Sequence, residues 1–208
     1  MSNYNIKYEI KMHTYWHCGS GLAAGADVDA LVIKDRNELP YIPGKTIKGL
    51  IKEAVDELYG IRYDEELNQN DYIATFGYFN SIIKDEEGDT VTEHKKPNVI
   101  MKKSSSFFSN AEIEDKVADK IKEGNLQRFM YDSISHTAIE TNGIAREHSL
   151  RKVQVVVPCT LKGEILNVPE SMCAVLEKGM QYTKSLGLNR NRGLGRCTIS
   201  FEGKEKIK

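Results

Sequence analysis

The sequence predicts an α+β fold built on one sheet, and three observations carry that prediction. Tyr4, Ile6, Tyr8, Ile10 and Met12 alternate with Asn5, Lys7, Glu9 and Lys11, the period of two of a strand with one face on a core. Ile47, Leu50, Ile51, Ala54, Val55 and Leu58 then recur at i, i+3, i+4, i+7, i+8 and i+11, one face of a helix. A second unit of the same kind closes the chain, with strand-like residues up to Leu166, a helix opened by Pro169 and a final strand. Reduced to its order, strand, helix, strand, strand, helix, strand, the chain reads as a ferredoxin-like or RRM-like βαββαβ arrangement with long insertions.

Each element has its own signal. The first strand runs out at Cys18-Gly19-Ser20-Gly21, and a loop rich in glycine and alanine follows to about Ala26. Pro43 and Gly44 mark the start of the first helix and Gly60 its end. From Glu53 to Asp89 stand eleven acids (Glu53, Asp56, Glu57, Asp64, Glu65, Glu66, Asp71, Asp85, Glu86, Glu87 and Asp89), opposed only by Arg62 and Lys84. That stretch repels phosphate and belongs on an outer face or against a protein partner. Residues 99–109 read as a strand, and 111–123 as a short amphipathic helix with Ile113, Val117 and Ile121 inward. From Ser133 to Lys152 the chain is polar with an Asn142-Gly143 turn, which predicts a protruding hairpin. Two strand-like runs follow around Pro158, and Pro169 opens a helix with Met172, Val175, Leu176 and Met180 inward. The loop from Gly187 to Gly195 leads into a last strand, Arg196–Phe201.

Composition bounds the function. With 208 residues, 40% apolar and 28% charged, the chain suits a single domain over 1–208 with a sizeable core. Twenty-nine Lys and Arg against thirty Asp and Glu give a net charge of −1, so any hold on nucleic acid has to come from local patches. No apolar run approaches the roughly 20 residues of a membrane span, and the first residues lack a signal-peptide core; a cytoplasmic protein without a membrane partner is expected. Cys18, Cys159, Cys173 and Cys197 never form a close pair, which predicts reduced, mostly buried thiols. His13 and His17 with Cys18 are a metal-ligand set by type, though two histidines near a strand end more often pack or face RNA.

Two motifs remain. Gly44-Lys45-Thr46 ends like a P-loop, but the required glycine five residues earlier is Leu39, so phosphates cannot be wrapped. Lys45, Lys48 and Lys52 instead lie opposite the apolar stripe near a helix N-terminus, either a phosphate-attracting end or a plain solvated face. The segment Leu186–Arg196 holds three glycines and three arginines with no acid. Glycines admit close backbone approach and arginines grip phosphate, which favours RNA or phosphate binding through Arg190, Arg192, Gly193, Gly195 and Arg196.

Taken together, several blocks carry a family resemblance. Trp16-His17-Cys18-Gly19-Ser20-Gly21, Leu39-Pro40-Tyr41-Ile42-Pro43-Gly44-Lys45-Thr46-Ile47-Lys48-Gly49 and Asn191-Arg192-Gly193-Leu194-Gly195-Arg196 resemble the signature of the RAMP superfamily, the RNA-binding subunits of CRISPR effector complexes. Thr75-Phe76-Gly77 and Phe107-Phe108-Ser109-Asn110-Ala111 resemble two further markers, with Asn110 in place of the usual Asp and Lys45 in place of a small residue. Length and single-domain organisation are most similar to the backbone subunit of type III complexes. That resemblance implies an RRM-like palm and a hairpin thumb at 133–152, with copies stacked along a guide CRISPR RNA beside other effector subunits. His17, Gly19, Ser20, Gly21, Lys45, Lys48 and Lys52 would then contact RNA, and Ile139, Ile144, Arg146, His148 and Arg151 would wedge or hold the strand.

The resemblance also implies chemistry. Target-cleaving members use an aspartate before the Pro-x-Ile-Pro-Gly-like block. Asp27, Asp29 and Asp35 are the candidates, and Asp29 fits best. A carboxylate there would hold Mg²⁺ or another divalent metal beside a kinked phosphate of the complementary target RNA, or accept a proton from the attacking 2′-OH. Alternatives are a non-cutting cap or variant backbone subunit, and a CRISPR-RNA processing endoribonuclease with His13, His17 or His136 as general base. An RRM-type protein outside CRISPR lacks support, because no block of stacking aromatics is present.

Overall fold

A computed structural model describes residues 2–23, 28–61, 67–80, 100–141 and 143–207. Asp27, the acids at 64–66 and 85–89, and Asn142 of the expected turn lie outside the described residues.

The sheet is antiparallel and four-stranded, from β1 (Asn3–Met12), β4 (Phe107–Phe108), β7 (Thr160–Pro169) and β8 (Cys197–Lys206). Its spatial order, β4-β7-β1-β8, is the split βαβ order, with each crossover helix spanning an intervening strand. The two crossover helices are α1 (Gly44–Ile61) and α4 (Glu170–Tyr182). The alternation in β1 has the expected effect. Ile6, Tyr8, Ile10 and Met12 are buried with Leu161 and Ile165 of β7 and Ile199 of β8, against Ile47, Ile51 and Val55 of α1 and Met172, Leu176 and Met180 of α4. All four cysteines are free, three of them buried, and burial pushes the Cys159 and Cys197 thiols up to about 11.

Three local expectations change. The strand expected over 99–109 is two pieces, β3 (Ile100–Lys102), paired with β2 (Tyr78–Asn80), and β4 in the main sheet. A helix the pattern did not announce, α2 (Gln69–Phe76), precedes β2; the Asn68 side chain caps it by accepting from the Asn70 and Asp71 amides. The helix expected over 111–123 is α3 (Asp115–Glu123). Ala111 and Glu112 are drawn into bridges with Ile42 and Lys162, so the helix starts later and turns Ala118 inward, leaving Val117 48% exposed.

The polar insertion is a hairpin, as expected, and longer than 133–152. Strands β5 (Tyr131–His136) and β6 (Arg151–Val156) pair from Tyr131–Val156 to His136–Arg151. Trp16, fully buried, fastens it to the end of β1: Trp16 and Val156 exchange backbone hydrogen bonds of 3.1 and 2.8 Å, and the indole N–H donates to the Val157 carbonyl.

Candidate nucleic-acid interface

Two excursions of the chain meet at the foot of the β5–β6 hairpin. In the first, residues 18–22 run antiparallel to 31–33 through Ser20 N to Leu31 O, Leu31 N to Leu22 O and Ile33 N to Cys18 O. The returning arm lies parallel beside β6, with Asp29 N donating to Lys152 O and Gln154 N to Ala30 O. Gly19, Ser20 and Gly21 are therefore parts of a short ladder, exposed at Gly19 and Gly21. His17 was expected to face RNA and does not: it is 3% exposed. Its Nδ1 bonds the Gln154 carbonyl at 2.6 Å, and a carbonyl only accepts, so Nδ1 carries the proton.

The second excursion is the glycine loop. Gly187 has φ +84°, and a Cβ there would sit 2.2 Å from the His17 carbonyl oxygen; Gly195 has φ +68°, and its Cβ would meet the Leu186 carbonyl oxygen at 1.9 Å. Only glycine allows both approaches. Leu188 N then donates to His17 O and Gly195 N to Tyr15 O, which clamps the loop onto the strand end. The arginines between these anchors part ways. Arg190 forks onto Glu53 of α1 at 2.7 and 3.0 Å, and that guanidinium holds the Glu53 carboxyl below its usual range. Arg192 stands exposed toward the hairpin, and Arg196 is exposed with its backbone tied to Thr14 and His13.

A cleft of about 790 Å³ opens between hairpin and loop. Arg146, Arg151 and Arg192 converge on it with His136 and His148, and the buried His136 Nε2 has no hydrogen-bond partner there among the described residues. Three guanidinium groups around one cleft suit a polyanion. Ile139 and Ile144 stand 67% and 65% exposed near the hairpin tip.

Two of the three α1 lysines, Lys48 and Lys52, do not join this surface, contrary to expectation. Lys48 donates to Ser104 Oγ at 2.6 Å, and burial lowers its pKa; Lys52 pairs with Asp56 and lies over the Tyr72 ring. The helical turn is the reason. At about 100° per residue, Lys48 and Glu53 lie roughly 140° apart, and it is the acidic side of α1 that meets the glycine loop. Lys45 alone of the three is exposed, beside the Cys18 thiol.

Asp29 sits at the hairpin foot. Its Oδ2 accepts the Lys152 N–H at 2.7 Å and its Oδ1 faces Arg151 at 3.4 Å, with the side chain 41% exposed. Asp35 instead closes a turn by accepting from the Asn37 and Leu39 amides, both at 2.8 Å. Among the described residues no group of three His, Cys, Asp or Glu side chains gathers into a metal site. Asp29 is one carboxylate with a basic neighbour. Mg²⁺ commonly takes one or two carboxylates plus substrate phosphates, so this donor fits a metal shared with a bound phosphate and not a resident one. Asn110 preserves the job that an Asp would do, since its side-chain oxygen accepts the Gly44 N–H at the start of α1.

The family model of the RAMP superfamily matches residues 9–198. No curated protein matches the chain in sequence. Among solved structures, chains of the type III-B Cmr-beta complex match, one bound to cognate target RNA and one in the apo state. Both are 11% identical with a TM-score of 0.61, over 95% of this chain and 96% and 97% of theirs. At that identity the likeness speaks for the fold.

Proposed function

The chain belongs to the RAMP superfamily, and from that premise we propose that it is an RNA-binding subunit of a type III CRISPR effector complex. The observation that carries this reading is the convergence of Arg146 and Arg151, from the hairpin, and Arg192, from the glycine loop, on one cleft between them. Guide CRISPR RNA would lie there, complementary target RNA would pair with it, and further copies of this chain and other effector subunits would flank it. Support for the RNA comes from charge placement. The net charge is −1, yet the cleft gathers three arginines and two histidines against one acid, Glu147. Purified from its native host, the protein should carry short RNAs of uniform, repeat-derived length. Protein free of RNA, with no affinity for single-stranded RNA at low salt, defeats the reading.

The Arg190–Glu53 fork gives a sharper expectation. A phosphate can use Arg190 only by displacing the carboxylate, so Glu53→Gln should tighten binding of single-stranded RNA. The steepness of the salt dependence, in log Kd against log salt concentration, should rise by about 0.7, one added contact. Arg190→Ala alone should change little. Equal salt slopes for Glu53→Gln and the parent would show that Arg190 never reaches RNA.

Target cleavage is the second reading, favoured by one observation: Asp29 pairs with Arg151, and Arg151 lines the cleft. Asp29 would accept the proton of a target 2′-OH as that oxygen attacks the adjacent phosphorus and the bond to O5′ breaks. The products are a 2′,3′-cyclic phosphate and a 5′-OH end, with O5′ protonated by solvent. Arg151 would neutralise the phosphate. A divalent ion held between Asp29 and that phosphate would add further charge neutralisation. Of the three histidines weighed for a processing enzyme, His13 bonds Thr198 and His17 is enclosed, leaving His136 on the cleft.

A further inference from the structure

The sheet face turned away from the helices carries a cavity of about 540 Å³, and a bulge creates it. Ser109 N donates to Glu164 O, and Glu112 exchanges backbone bonds with Lys162. Between them, Ala111 pairs with Ile42 and Asn110 caps α1, so two residues stand opposite Gly163 with no bond to it. The gap is floored by Tyr8. A Cβ on Gly163 would sit 2.4 Å from the Tyr8 hydroxyl oxygen, so the ring lies across the glycine. Tyr8 is 1% exposed, and its hydroxyl has no hydrogen-bond partner among the described residues. A buried hydroxyl left unmatched costs stability, which makes it an unusual floor for an empty cavity.

The rim has a charge of definite sign. Glu112, Glu164 and Glu202 line it, and no carboxylate oxygen of theirs has a hydrogen-bond or ion-pair partner among the described residues. The two lysines at the rim offset that charge only in part: each makes its ion pair outside it, Lys7 with Glu205 at 3.0 Å and Lys162 with Glu114 at 3.1 Å, and feels a rim carboxylate, Glu164 and Glu202 respectively, at longer range. Phe107, 62% exposed, forms one wall. An apolar wall, unpaired carboxylates and an orphaned acceptor below them repel phosphate and suit a planar cation.

We infer that this cavity receives an arginine side chain presented by a protein partner. Its guanidinium donates to Glu164 or Glu202 and to the Tyr8 oxygen while stacking on Phe107. Arginine fits better than lysine because its flat, weakly hydrated fork satisfies several acceptors at once and stacks on an aromatic face. The inference stands apart from the RNA reading, since the cavity and the cleft share no lining residue and their ligands carry opposite charge.

The test uses the full chain and four probes: a Gly-Ser peptide with one central arginine, the same peptide with lysine, the same with neutral citrulline, and a short single-stranded RNA. Amide resonances of Phe107, Gly163 and Glu164 should shift saturably with the arginine peptide, less with lysine and not with citrulline or RNA. Glu164→Gln with Glu202→Gln should weaken arginine binding about tenfold or more, the effect of losing charge-assisted hydrogen bonds. Tyr8→Phe should weaken it too while raising the melting temperature of the free protein, because an unmatched hydroxyl is gone. Equal binding of citrulline and arginine, shifts of these amides by RNA, or no saturable shift with the arginine peptide would overturn the inference. So would a Tyr8→Phe variant that binds the arginine peptide as tightly as the parent.

Discussion

Asp29→Asn should abolish cleavage of a fully complementary RNA in the assembled complex while the hairpin foot stays intact. The reason lies in what each oxygen does. Asn keeps an acceptor for the Lys152 N–H, at 2.7 Å from Asp29 in the parent, and loses the charge and basicity. General-base help is typically worth about 10²–10⁴-fold, so single-turnover kcat should fall by that factor with target affinity nearly unchanged. Asp29→Ala removes the acceptor as well and should cost about 1 kcal/mol of stability in addition. If Asp29→Asn cuts like the parent and Asp29→Ala only lowers the melting temperature, the carboxylate is a cap for the hairpin and the cutting group lies elsewhere; a parent complex that cuts no complementary RNA under any divalent metal upholds the non-cutting reading. Asp35→Ala should cut normally and unfold earlier, because Asp35 is spent on two turn amides. Asp27→Ala is the register control. EDTA tests the metal, and cutting that persists in its presence leaves acid–base chemistry alone.

Replacing Arg146, Arg151 and Arg192 together with Ala should weaken RNA binding by about 100-fold near physiological salt, at roughly 1 kcal/mol per lost phosphate contact. The salt dependence should flatten by about 2 in log–log slope, three contacts at roughly 0.7 each. This set differs from the one the sequence suggests. Arg190, Arg192 and Arg196 are neighbours in the chain, but Arg190 is bound to Glu53 and only Arg192 borders the cleft. Changing Arg190 and Arg196 together should therefore flatten the slope far less. A triple variant that stays folded and keeps the parent's slope removes the cleft from the RNA path.

Most of the fold was legible because local patterning and global packing agree. The period-two run of β1 is read over nine residues and the helical stripe of α1 over twelve, and the buried positions are the ones those periods select. Legibility failed where a partner distant in sequence overrode the local pattern. Residues 111 and 112 look helical, and they lie in extended bridges because Ile42 and Lys162 take their hydrogen bonds. The same holds for the site. The glycine loop and the hairpin were both visible as separate signals, and nothing in either sequence stretch reports that they face one cleft. His17 belongs to a block that reads as ligand-facing, yet the Gln154 carbonyl holds it inside.

By itself, the sequence determined the order of the core strands and helices, the two crossover helices' inward faces, the hairpin, the arginine-rich loop and the family to which these blocks point. Periodicity and turn chemistry act over a few residues, so one chain read in order suffices for them. Tertiary structure alone decided which charges are free. Lys48, Lys52 and Arg190 are spent on Ser104, Asp56 and Glu53, while Arg146 and Arg192 border one cleft with Arg151, itself beside Asp29, and Glu164 and Glu202 have no hydrogen-bond or ion-pair partner among the described residues. A charge attracts a ligand only with what its nearest neighbours leave uncancelled, and those neighbours are up to 137 residues away in the chain.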